Sequence, residues 1–168
     1  LDRNNSAPKI PGIRYRAVPG YDYNKTDADR KLLQQICDEE KADLFISTYY
    51  TTPLSTSSVF MGYDMIPEII AQELDNPMWR EKDYAIRHAS AYITISENTA
   101  RDLVEFYPYI SLDSVTPAHC GVESKFHPAS ASQIEKFKLK HGISKPYFVL
   151  VGERMGWHGY KNTILFFK

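Results

Sequence analysis

The chain has 168 residues, 43% hydrophobic and 24% charged, a balance that suits one globular domain or parts of two. Its formal net charge of -1 excludes the strong basic field that draws nucleic acid or anionic lipid. No apolar run approaches the roughly 18 residues that cross a bilayer, and no signal peptide is visible.

Two cysteines, Cys37 and Cys120, fit a reducing compartment, with one disulfide left open. The expected location is therefore the cytoplasm, with the inner face of a membrane as a second place for a peripheral protein. The first residue is Leu1 rather than Met, so the expectation is a start inside a longer protein.

Residues 1 to 12, with two prolines, read as loop. Ile13 to Val18 alternates and reads as a strand ended by Pro19-Gly20. Thr26 to Asp29 resembles a capping box, and the helix after it places Leu32, Leu33, Ile36 and Cys37 on its apolar side. Ala42 to Tyr50 and Ser58 to Ile66 read as strands, the second carrying Tyr63 and Asp64 at its end. Asn76 before Pro77 is an N-cap signal for a helix with Met78, Ala85, Ile86 and Ala89 in its stripe.

Ala91 to Ser96 is a short strand, and Ser96 caps a helix with Ala100, Leu103, Val104 and Tyr107 on one face. Ser114 to Val122 is a weaker strand interrupted by Pro117. Ser132 to Glu135 reads as a capping box for a helix ending before Gly142, and Tyr147 to Val151 as a buried strand. Strands alternate with helices, which predicts an α/β protein with a parallel sheet and flanking helices. Phe45, Ile46, Phe60, Ile93, Ile95, Phe148, Leu150 and Val151 are the expected buried strand residues. Ligands of such sheets bind beyond the carboxyl ends of the strands.

One loop bears on function directly. "GERMGWHGYKN", residues 152 to 162, sets Gly152, Gly156 and Gly159 beside the cations Arg154 and Lys161. Glycines permit close backbone approach, and strand, glycine-rich loop and helix in sequence suit an anion such as phosphate. Neither the Gly-Lys-Ser/Thr of a P-loop nor the G-x-G-x-x-G of a dinucleotide fingerprint is present. On local evidence a βα loop with solvated cations stands beside the phosphate reading.

Three further stretches precede it: "GYDMIPE" from Gly62, "AYITISENTARDLVEFYP" from Ala91 and "CGVESKFHP" from Cys120. With "KPYFVLVGERMGWHGYKN", this series resembles family 4 (group 1) glycosyltransferases of the GT-B type, over most of residues 42 to 167. The resemblance implies two Rossmann-like domains facing a cleft, of which this chain is a fragment. Residues 1–127 would be the later part of the N-terminal acceptor-side domain, and 128–168 the start of the C-terminal donor-side domain. The family's first glycine-rich loop would precede Leu1, and its paired-glutamate motif would follow Lys168.

The implied activity is transfer of a hexosyl group, with retention, from a GDP- or UDP-linked sugar to a glycan, lipid or small-molecule acceptor. No metal or other cofactor is implied, and the remainder of the protein's own chain is the implied partner. Gly152, Arg154 and Lys161 would bind the donor diphosphate, where two fixed cations stabilise the leaving group's charge. "MGWHG" makes this loop longer than the family's common form. The alternatives are a non-catalytic sugar- or nucleotide-binding domain and, with less support, a nicotinamide-dependent oxidoreductase, which lacks its glycine fingerprint.

Asp64 is the candidate catalytic residue, carried as a binding or orienting group; a turn aspartate before Pro67 is the other reading. The family often has a histidine before this position, and here Tyr63 stands there. Tyrosine hydrogen-bonds a sugar hydroxyl, but with an ordinary pKa near 10 it is no general base at neutral pH. Glu68 is a candidate acceptor contact or a solvated surface group. Ser96 and Glu97 match the family's helix start, with plain capping preferred. His158 is a further candidate for phosphate contact. Asp27 and Asp29 form a D-x-D, read as capping, and the histidines and cysteines show no metal-binding spacing. The twelve tyrosines suit sugar stacking, though half-burial with the hydroxyl in water is preferred for most.

Overall fold

The computed structural model describes residues 1–70 and 74–151. The chain divides into two units, Leu1–Cys120 and Gly121–Lys168. The first begins with two short parallel strands, β1 (Asp2–Arg3) and β2 (Ala17–Val18). Helix α1 (Thr26–Glu40) follows, then β3 (Phe45–Ile46), β4 (Ser58–Gly62), the single turn α2 (Ile66–Ile69) and α3 (Pro77–His88). Strand β5 (Ala89–Thr94), α4 (Glu97–Phe106), a 3-10 turn (Leu112–Ser114) and β6 (Val115–Pro117) complete it.

Strands β3 to β6 form a parallel sheet in that order. This is a mixed α/β arrangement, four parallel strands flanked by helices, consistent with a Rossmann-like fold. Ser58 pairs with Ala89 but Val59 with Ala91, so Ser90 is an extra residue at the start of β5. Gly62 closes β4 where space is short: a Cβ there would stand 3.2 Å from Phe60 Cε1 and 3.3 Å from Thr94 Cγ2.

Successive strand residues point to opposite faces, and this decides the core. Phe60 pairs with Tyr92 and Tyr92 with Val115, so the three form one row. Against that row pack Ala85 and Ile86 of α3, Ala100 and Leu103 of α4, and Tyr107 and Ile110 beyond it. Asn76 caps α3 by accepting from the Met78 N–H, with Pro77 in the first turn. Ser96 caps α4 by accepting from the Thr99 N–H at 3.1 Å. Both caps stand where the sequence places them.

Several expectations need correction. Asp2 and Arg3 form a strand where loop is expected, and only Ala17–Val18 of the expected 13–18 strand pairs. Thr26 opens α1, but neither it nor Asp29 makes a capping box: Lys25 holds the cap position, without a side-chain bond, and Asp29 pairs with Arg3 at 2.8 Å. A long-range cation outcompetes the local N–H for that carboxylate. Of the eight residues expected in buried strands, Phe60 alone is buried. Phe45, Ile93, Ile95 and Leu150 are half-buried, while Ile46, Phe148 and Val151 are exposed. Ile46 and Ile93 lie on the sheet face opposite the Phe60–Tyr92–Val115 row.

The second unit contains α5 (Ala131–Lys140). Its capping box is Ser130 with Gln133, not Ser132 with Glu135, because Ser130 holds the extended backbone that a cap requires. Gly142, at φ +64°, follows its end. Tyr147 to Val151 carries no regular structure, contrary to the strand expected there. β-propensity expresses fit against neighbouring strands, so an apolar run does not make a strand alone.

Leu103 is fully buried in the core. Leu103→Ala is expected to lower the unfolding free energy by about 2–5 kcal/mol. Ser96→Ala, which removes only a cap, should lower it by about 1 kcal/mol. Urea unfolding followed by circular dichroism measures both, and equal losses would contradict the placement of Leu103.

Candidate functional site

In a parallel sheet all carboxyl ends reach the same edge. Here that edge carries the residues after β3, β4, β5 and β6. Two backbone bonds carry the ladder past the strands, from Ile95 N–H to the Gly62 carbonyl at 3.1 Å and from Ala118 N–H to the Thr94 carbonyl at 2.7 Å. Tyr63, Asp64 and Glu68 leave β4 at this edge, and Ser96 with the start of α4 leaves β5 beside them.

Tyr63 is half-buried, and its hydroxyl donates to the Thr48 carbonyl at 3.0 Å, with Met61 Sδ 3.2 Å away. It ties the exit of β4 to the exit of β3. Asp64 Oδ1 accepts the Ile66 N–H at 3.0 Å, the geometry of an aspartate turn that starts α2. Its backbone carbonyl accepts from Lys82 Nζ at 2.9 Å, and the same ammonium donates to Glu68 Oε2 at 2.7 Å. Glu68 is thus held in an internal ion pair, its side chain only 11% exposed, rather than solvated on the surface. Ser96 is occupied as capping predicts, with its Oγ also 3.0 Å from Thr99 Oγ1, and Glu97 stands in the first turn of α4.

Aromatic rings gather at the same edge. Tyr49 stacks on Tyr50 at 4.0 Å between centroids, and Tyr50 lies 6.3 Å from both Phe60 and Trp79. Burial, then neighbouring Tyr49 and the carboxylates of Asp64 and Glu68, raises the Tyr50 phenol well above its ordinary pKa. Lys82 Nζ stands 5.9 Å from the centre of the Tyr50 ring.

A second polar cluster joins α1 to α3. Arg30 pairs with Glu81 and with Asp27 at 2.7 Å, and its guanidinium lies 3.9 Å over the Tyr84 ring. Tyr21 donates to Glu81 at 3.1 Å. Asp27 and Asp29 of the D-x-D are therefore each engaged by an arginine. A cavity of about 730 Å³ opens beside this cluster, lined among others by Tyr23, Arg30, Glu68, Glu81, Tyr84 and Tyr107. Rings beside paired ions suit a neutral, hydroxyl-rich ligand better than a strongly charged one, since the ions already neutralise each other.

Sequence reasoning missed Lys82, Glu81 and Arg30. Lys82 carries a readable signal: it falls four residues after Met78 and four before Ile86, inside the apolar stripe of α3. Gly152, Arg154, His158 and Lys161 lie outside the described residues. Among the described residues no helix is long and apolar enough to cross a membrane. No protein-family model matches the chain, and comparisons with curated proteins and with solved structures return no match.

Burial also raises the phenols of Tyr21 and Tyr107, and pushes Tyr23 up to about 12. An unfolded tyrosine ionises near 10. The stability these phenols contribute is therefore complete below pH 10 and is lost as pH rises beyond it. Absorbance at 295 nm is expected to show several tyrosines un-ionised at pH 11 in the folded chain, released together on alkaline unfolding. Simultaneous ionisation of all twelve near pH 10 in folded protein would contradict the burial of Tyr50 and Tyr107.

Proposed function

We propose that this chain is part of a GT-B glycosyltransferase, similar to family 4, that moves a hexosyl group from a nucleotide sugar to a hydroxyl-bearing acceptor. One observation carries the reading. The "DMIPE" segment, with Tyr63, Asp64 and Glu68, emerges at the carboxyl edge of a parallel sheet beside the capped start of α4. That is the edge at which open α/β sheets bind ligands. The order of the four sequence stretches supports it independently.

In this reading Tyr63 and Asp64 bind and orient sugar hydroxyls, through a phenol held by the Thr48 carbonyl and a carboxylate held by the Ile66 N–H. Glu68 acts through its ion pair with Lys82, which sets the shape of the segment. Arg154 and Lys161 bind the donor diphosphate, and Gly152 allows its close approach. Breaking the sugar–phosphate bond leaves negative charge on the nucleotide diphosphate, and preorganised cations stabilise that charge more than the ground state. Arginine spans two phosphate oxygens with its fork, while lysine acts as a point charge. The reading requires no metal, and its acceptor is a glycan, a lipid-linked sugar or a small molecule.

The test is a calorimetric screen of the full-length protein against GDP- and UDP-sugars, followed by a transfer assay with the donor that binds. Binding of one nucleotide class with transfer is expected. Binding without transfer would favour a sugar- or nucleotide-binding domain, and no binding would overturn the reading.

Arg154→Ala is expected to lower kcat/KM by roughly 10²–10³, as loss of one charge-stabilising donor does. Lys161→Ala should act in the same direction with a smaller effect. Melting temperatures measured alongside should stay near wild type. Wild-type turnover in Arg154→Ala refutes the diphosphate role, and joint loss of activity and folding assigns a structural one.

A further inference from the structure

Lys82 is fully buried in the middle of α3, and its ammonium is spent on one short stretch of chain. It donates to the carbonyl of Asp64 at 2.9 Å and to the carboxylate of Glu68 at 2.7 Å, so it holds both ends of the Asp64–Glu68 segment. The segment needs an anchor. Helix α2 is a single turn of four residues, and its cap residue Met65 supplies no side-chain bond. One turn of helix is not stable on its own. Stability alone accounts poorly for this lysine, because a well-packed apolar pair in place of a buried ion pair is often as stable or more so. What the pair supplies is a fixed geometry for the residues leaving β4.

We propose that Lys82 is a positioning residue, which clamps the Asp64–Glu68 segment so that the Asp64 carboxylate and Tyr63 hydroxyl keep their places at the carboxyl edge. The inference rests on the transferase reading for what the segment does, but the clamp itself is a property of the fold. Lys82 reaches no substrate, being buried, and acts through Asp64 and Glu68. Its bond to a backbone carbonyl fixes the chain path, and its bond to Glu68 fixes the far end of the turn. Tyr50 closes the third side of the ammonium with its ring.

The test uses the double variant Lys82→Met/Glu68→Gln, which removes both charges together and leaves neither ion buried alone. Hydrogen exchange is read at Ile66, Ile69 and Ile70, whose N–H groups donate to Asp64 Oδ1 and to the Met65 and Ile66 carbonyls. The expected result is a melting temperature within a few degrees of wild type. Exchange at those three amides should be at least about tenfold faster, with α4 amides unchanged. With the donor identified, kcat should fall at least about tenfold while donor KM stays within about twofold.

Unchanged protection at Ile66–Ile70 would overturn the proposal, as would faster exchange spread evenly over the first unit. Wild-type kcat despite a loosened segment would overturn the functional half. If the wild-type protein turns over no nucleotide sugar, the transferase reading falls, while the exchange comparison still decides whether Lys82 is a clamp.

Discussion

The parallel ladder from Val59 with Ala91 to Gly62 with Thr94 forces the chain, on leaving β4, to travel back along the sheet before it can enter β5. Helix α3 makes that return. Its apolar side, through Ala85 and Ile86, meets the row of Phe60, Tyr92 and Val115 and closes the core. The same constraint sends the exits of β4 and β5 to one edge, so Tyr63, Asp64 and the capped start of α4 become neighbours without being near in sequence. With an antiparallel pairing of these strands, the two exits would lie at opposite ends.

Two adjacent residues of α3 point in different directions and fix the helix on two sides. Glu81 meets Arg30 of α1, and Lys82 meets Asp64 and Glu68 of the segment after β4. Both are buried. Removing one member of such a pair typically costs about 3–5 kcal/mol, because the other charge is left unpaired in a poor solvent. α3 is thus held by packing on its inner face and by ions at its flanks.

The sequence showed clearly what local chemistry decides. Asn76 before Pro77, and Ser96 three residues before Thr99, are caps whose partners lie within one turn, and both stand as read. The stripe through Ala100 and Leu103 is likewise legible from its spacing. The misreadings have more than one cause: a partner distant in sequence for Asp29, strand register for Ile46 and Ile93, and local backbone conformation for the cap of α5. Asp29 is taken by Arg3, and Ile46 and Ile93 fall on the face opposite the core. At the candidate site, the place of Tyr63 and Asp64 at the end of β4 is legible from the apolar run before them. Their support by Lys82 is not legible in the same way, because a lysine among apolar residues marks an interruption of the stripe as readily as a buried partner.

Helix α3 ends at His88 and β5 begins at Ala89, with no residues between them. A joint of that kind has no slack. Any turning or sliding of α3 is delivered to the first residues of β5, where Ser90 already stands as an extra residue against β4. The same rod carries Lys82, and so grips the chain on the far side of the sheet edge. Helix, strand and segment are therefore one continuous connection, tied to the Asp64 turn through Lys82 and to the opposite end of the sheet through the direct passage from His88 into Ala89.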